Sequence, residues 1–178
     1  MSSERPADKR VEIPPELGEK LINGEMTLGE FVGLSESAQY AIANLAFQSL
    51  DAGRPEKALP LYEGLVAASP NDSVFHCHLA ATHYALNNLD KAFEHYDSAI
   101  RLNKANADAL AGRGELYLQR QEVLKAAADF KAALEADPQG LRLSTLRART
   151  ALSMLTQAAA QPAQAAGAPQ KAAPPQKK

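Results

Sequence analysis

The apolar and small positions of this chain recur. Aligned without a gap, residues 39–72, 73–106 and 107–140 form three units of 34 residues, each reading as two helices joined by a short turn. Small residues return at three offsets. The eighth position holds Ala46, Ala80 and Gly114, the twentieth Ala58, Ala92 and Ala126, and the twenty-seventh Leu65, Ala99 and Ala133. Large residues return between them: Tyr62, Tyr96 and Phe130 at the twenty-fourth position, and Val66, Ile100 and Leu134 at the twenty-eighth. Two helices approach closely only where side chains are small, and an aromatic ring then fills the space between units. Pro70 and Pro138, each near the end of a unit, stop the second helix.

The segments outside the repeats read as caps and tails. Pro14 and Pro15 open a short helix through Leu21 and Ile22, Thr27 N-caps a second one containing Leu28, Phe31 and Val32, and the next helix starts near Ser35. Residues 141–156 carry Leu141, Leu143, Leu146, Leu152 and Leu155 with three arginines between, the pattern of one amphipathic helix covering the third unit. Residues 157–178 use only Ala, Gln, Pro, Lys and Gly, so they hold nothing apolar enough to offset the entropy of ordering and are predicted to be disordered. The expected organisation is a flexible segment 1–13, a repeat domain 14–156 with its capping helix at 141–156, and a disordered tail 157–178.

The period, with small residues at positions 8, 20 and 27 and Pro at 32, resembles the tetratricopeptide repeat. The resemblance implies an all-α, right-handed solenoid of three helix-turn-helix repeats with N-terminal helices and a C-terminal cap. Two departures, His76 at position 4 and Arg113 at position 7, predict looser packing around those residues. In this family the first helices line a concave groove at positions 2, 5, 9 and 12. Those positions hold Tyr40, Ala43, Phe47 and Leu50; Val74, Cys77, Ala81 and Tyr84; and Asp108, Ala111, Glu115 and Leu118, with His78 beside them. A strip of aromatic and small residues suits an extended or short helical apolar segment of a protein partner. Alternatively, some of these residues lie under the N-terminal helices or a second copy.

Charge and candidate chemistry narrow the function. The 178 residues hold 19 Lys plus Arg against 21 Asp plus Glu, and three of the lysines lie in the tail. No basic face is left for a nucleic-acid backbone. Neither a membrane span nor a secretory signal is expected, because the apolar runs fall far short of the roughly 20 residues that cross a bilayer. The single cysteine fits a reducing compartment, and the expected location is the cytoplasm. His76, Cys77, His78 and His83 invite a metal, but His76 and His78 point to different sides of a helix and His83 is two turns away. Cys77 has no acid within one turn to orient a histidine base, and Gly112-Arg113-Gly114 lacks the spacing of a phosphate loop. No catalytic residue, cofactor or metal is assigned, and the protein is not expected to be an enzyme.

Two uses of the repeat separate on residues. Repeats that clamp chaperone C-termini resemble one another in carrying Lys and Asn at positions 5 and 9, Asn at 6 of the next unit, then Lys and Arg. This chain has Ala43, Phe47, His78, Asp108 and Gly112 there, so a C-terminal carboxylate finds no cation. The run from Asn23 to Val66, with its Gly-containing turn, Ser-rich helix start, Leu45-Ala46-Phe47 step and Gly53 turn, together with Asn71 to Phe75, resembles class II chaperones of type III secretion translocators. That resemblance implies a groove holding an extended translocator segment and a homodimer contact through the N-terminal helices. The alternative is a scaffold or adaptor subunit of another bacterial multiprotein machine.

Overall fold

The helices begin where local hydrogen-bond chemistry allows. The computed structural model describes residues 14–166, and all regular structure among them is helical. Helix α1 (Pro15–Ile22) starts on a proline, whose missing amide hydrogen would have had no helical acceptor. Helix α2 (Leu28–Phe31) starts on a reciprocal cap: Thr27 Oγ1 accepts from the Glu30 amide at 3.2 Å while Glu30 Oε2 accepts from the Thr27 amide at 2.7 Å. Ser35 Oγ accepts from the Ala38 amide and opens α3 (Glu36–Asp51). Then follow α4 (Pro55–Ala68), α5 (Ser73–Ala85), α6 (Leu89–Leu102), α7 (Ala107–Gln119), α8 (Val123–Ala136) and α9 (Leu143–Ala166). The fold class is the all-α tetratricopeptide repeat, as the pattern predicts. The chain divides into two compact units between Asp72 and Ser73, where the first 34-residue unit ends.

In the first unit α3 packs on α4 through Ala46 and Ala58, both fully buried. Tyr62 is equally buried, and its hydroxyl donates to the Ala43 carbonyl at 3.1 Å, so the ring fills space without stranding a polar atom. Gln39 ties the helix start down: its Nε2 donates to the Leu34 carbonyl at 3.0 Å and its Oε1 accepts from Ser69 at 2.6 Å. Helix α1 buries none of its residues.

In the second unit the small-residue seam is continuous. Ala80, Ala92, Ala99, Ala126 and Ala133 are fully buried. Gly112 and Gly114 lie under the rings of Tyr96 and Phe130; a Cβ would come within 2.3 Å and 2.6 Å of those rings. The start of α7 is knotted to the preceding repeat. Asn106 Oδ1 accepts from the Ala109 amide, Asn106 Nδ2 donates to Ser73 Oγ at 2.8 Å, and Ser73 Oγ donates to the Ala99 carbonyl at 2.9 Å. The turn after each first helix uses a left-handed residue at the same repeat position: Gly53 (φ 68°), Asn87 (φ 60°) and Gln121 (φ 61°).

Three expectations change. Packing around Arg113 is not loose: its guanidinium makes paired bonds to Asp129 at 2.7 and 2.8 Å and a third to Asp97 at 2.6 Å. These bonds, the ones to Asp129 above all, push its pKa up against the opposing effect of burial. His76 is likewise buried, with its Nδ1 3.2 Å from that of His95. Helix α9 continues past residue 156 to Ala166, because alanine is the best helix former and residues 158–160 are all alanine. Residues 167–178 of the predicted tail, and the predicted flexible segment 1–13, lie outside the described residues.

Candidate partner-binding surface

Each unit carries its own share of the groove positions. In the first, Tyr40 and Phe47 project from α3 and are 42% and 47% exposed, while Leu50 is half-buried. The Tyr40 hydroxyl donates to Asp72 Oδ2 at 3.0 Å. Partial burial, then this bond to a carboxylate, raises the phenol's pKa and holds the ring in one orientation. Ala43 differs from the expectation: it is buried beneath Tyr62 and forms floor, not contact surface.

In the second unit Val74 is 40% exposed and His78, Ala81 and Tyr84 are half-buried along α5. The Tyr84 hydroxyl accepts from Gln119 Nε2 at 2.8 Å. Cys77 and Ala111 are buried, so they too are floor. Burial, before any effect of Asp108, pushes the Cys77 thiol far above its usual range, where it holds its proton and is no nucleophile. A cleft of about 150 Å³ opens between Val74, Cys77 and His78 on α5 and Asn106 and Asp108 at the start of α7.

The third repeat's positions are joined to α9, which sequence reasoning missed. Asp108 accepts from both Arg142 and Ser144, and Glu115 pairs with Arg147 at 2.9 Å. Asp108 and Glu115 are therefore neutralised partners of the cap, and only half-buried Leu118 remains as apolar lining there. One signal was available: Arg142 follows Asp108 by one repeat length, which sets opposite charges at the same position of successive units. Asp137 completes the joint by accepting from the amides of Leu141 and Arg142 and from the Thr145 hydroxyl; the hydroxyl bond, first among these, holds its carboxyl below the usual range.

The histidines serve packing. His95 on α6 stacks on His83 at 5.6 Å between ring centroids and tilts against His76 at 5.4 Å. Among the described residues no group of three His, Cys, Asp or Glu side chains is placed to hold a metal ion, and no helix is long and apolar enough to cross a membrane. The site thus offers shape, aromatic area and a few hydrogen-bonded phenols.

Two family models, each of the tetratricopeptide repeat, match residues 49–93 and 77–140, together just over half of the chain. The chain belongs to this family. No curated protein sequence matches it. Among solved structures, a type III secretion complex from Aeromonas hydrophila is similar at 20% identity and TM-score 0.69, over 83% of this chain and 99% of that one. The type III secretion chaperone SycD of Yersinia enterocolitica, in complex with a peptide of the translocator YopD, is similar at 23% identity and TM-score 0.62, over 71% and 98%. The first tetratricopeptide domain of Spaghetti (RPAP3), bound to an HSP90 peptide, is similar at 21% identity and TM-score 0.60, over 71% and 96%. The last two of these structures each hold a peptide of a partner protein.

Proposed function

We propose that the protein is a non-catalytic, cytoplasmic chaperone for a type III secretion translocator, holding an apolar segment of that partner on the inner positions of its first helices. The observations that carry this reading are, in the first unit, the exposure of Tyr40 and Phe47 on α3 beside small, buried Ala43 and, in the second, the exposure of Val74 on α5 beside small, buried Cys77. Apolar anchors of a partner gain contact area against half-exposed rings, and small residues beneath leave room for them. The likeness to the SycD complex supports the partner class. The likeness to the HSP90-bound domain does not extend to its ligand here, since Ala43 and Phe47 stand where a clamp needs cations and amides and Asp108 is already engaged by Arg142.

The mechanism is shielding: the partner's apolar surface is covered until handover, and no bond is made or broken. A homodimer would bury Ile22 and Val32 of the N-terminal helices, which are 85% and 63% exposed. Co-expression tests the reading. A translocator bearing membrane-active stretches should stay soluble beside the wild-type chain and precipitate beside a Phe47→Ala, Tyr84→Ala double variant that remains folded. Capture of an assembled machine by both proteins alike would instead make the chain a scaffold.

A further inference from the structure

The tyrosines of the inner positions carry hydrogen bonds that burial does not demand. Tyr62 is fully buried, so its hydroxyl has to find a protein acceptor, and it uses the Ala43 carbonyl. Tyr40 and Tyr84 are under no such constraint. Tyr40 is 42% exposed and Tyr84 half-buried, and water could serve both hydroxyls. Each is nevertheless bonded to a side chain from another element of its own unit. In the first unit Asp72, 32 positions on and beyond the end of α4, accepts from the Tyr40 hydroxyl at 3.0 Å, and its own amide donates to the Ser69 carbonyl at 3.2 Å. In the second, Gln119, 35 positions on and the last residue of α7, donates to the Tyr84 hydroxyl at 2.8 Å.

A bond this exposed adds little to folding stability, because water replaces it when it breaks. It does restrict the ring: a tyrosine fixed at Cα by its helix and at its hydroxyl by a second element keeps one side-chain rotamer. Ordering a loose side chain at an interface weakens binding, and a ring ordered before the partner arrives escapes that loss. We propose that Gln119 and Asp72 are positioning residues of the partner-binding surface, which act through Tyr84 and Tyr40 by holding their rings in the binding orientation. The inference rests on the reading that the inner positions bind a partner's apolar segment. Neither residue stands at an inner position: Asp72 is the last residue of the first 34-residue unit and Gln119 the thirteenth of the third.

The test uses the full chain and a fluorescein-labelled short peptide selected on it by phage display, kept only if Phe47→Ala and Tyr84→Ala each weaken its binding. Fluorescence anisotropy should show Gln119→Ala weakening this peptide about three- to tenfold, with melting temperature nearly unchanged. Tyr84→Phe should weaken it similarly, and the double variant no more than either alone, since both break one bond. Gln119→Glu should keep the affinity, because a carboxylate accepts from the phenol and holds the same ring. In the free protein, the χ1 couplings of Tyr84 should average in Gln119→Ala and stay those of one rotamer in Gln119→Glu. In the first unit Tyr40→Phe, which leaves Asp72 in place before α5, should weaken the peptide about threefold or more, and Asp72→Ala should match it. Asp72→Asn should keep the affinity, as its amide oxygen still accepts. The same variant should lower the Tyr40 phenol's pKa, now raised by burial and then by this carboxylate, as read from its ring carbon resonances. Unchanged affinity in Gln119→Ala and Asp72→Ala would overturn the inference and leave the binding reading standing. Additive losses from Gln119→Ala and Tyr84→Phe, or a single Tyr84 rotamer in Gln119→Ala, would do the same. Selection that yields no peptide sensitive to Phe47→Ala and Tyr84→Ala would overturn both.

Discussion

The two units share one repeat and hold it together differently. The first keeps its helices with neutral bonds, Tyr62 to the Ala43 carbonyl and Ser69 to Gln39, and carries a glycine, Gly64, with nothing within 4 Å of where a Cβ would stand. The second links successive repeats through charge: Asp97, Arg113 and Asp129 join α6, α7 and α8, while Asp108 and Glu115 join α7 to α9. Its Gly112 and Gly114 lie under aromatic rings. The difference teaches that one sequence motif fixes only the helix seam. What bonds one repeat to the next is decided by substitutions at positions the motif leaves open.

The largest effect that would break this comparison is steric. Gly112→Ala drives a methyl group into the buried Tyr96 ring and should cost about 2–3 kcal/mol, measured by denaturant unfolding. Arg113→Leu removes the centre of the charged triad and leaves Asp129, whose side chain is 10% exposed, without its guanidinium. The expected cost is about 2 kcal/mol, below that of a fully buried pair because Asp97 still reaches water.

A third prediction concerns acid. Burial, then the neighbouring His76 and His83, holds the His95 pKa below the ordinary 6.5, so the folded chain binds a proton there less readily than the unfolded one. The neutral ring's contribution is fully present above pH 6.5 and is lost as pH falls through the lower, folded value. Melting temperature should drop between about pH 6.5 and pH 5 more in wild type than in His95→Gln. The smallest effect has the opposite sign: Gly64→Ala on α4 meets open space and should raise stability by about 0.5–1 kcal/mol through helix propensity.

The seam, the helix starts and the family were legible because each rests on local rules: small residues at fixed offsets, Thr27 and Ser35 as caps, prolines at helix starts. Of the candidate surface, periodicity located the inner positions but not their depth. Ala43, Cys77 and Ala111 share a helix face with exposed neighbours and are buried only because the packed helices come so close there. The bond from Arg147 to Glu115 and the meeting of His95 with His76 and His83 join residues 12 to 32 positions apart, and helical periodicity carries no information on which side chains meet at such distances.

The central claim is that the inner positions bind a partner's apolar segment, and calorimetric titration of the captured translocator's segment tests it most directly. Phe47→Ala and Tyr84→Ala should each weaken binding by about tenfold or more while the variants remain folded, with Tyr84→Ala the one that lowers melting temperature because Tyr84 packs on the core of its unit. Undiminished affinity in both variants would contradict the account.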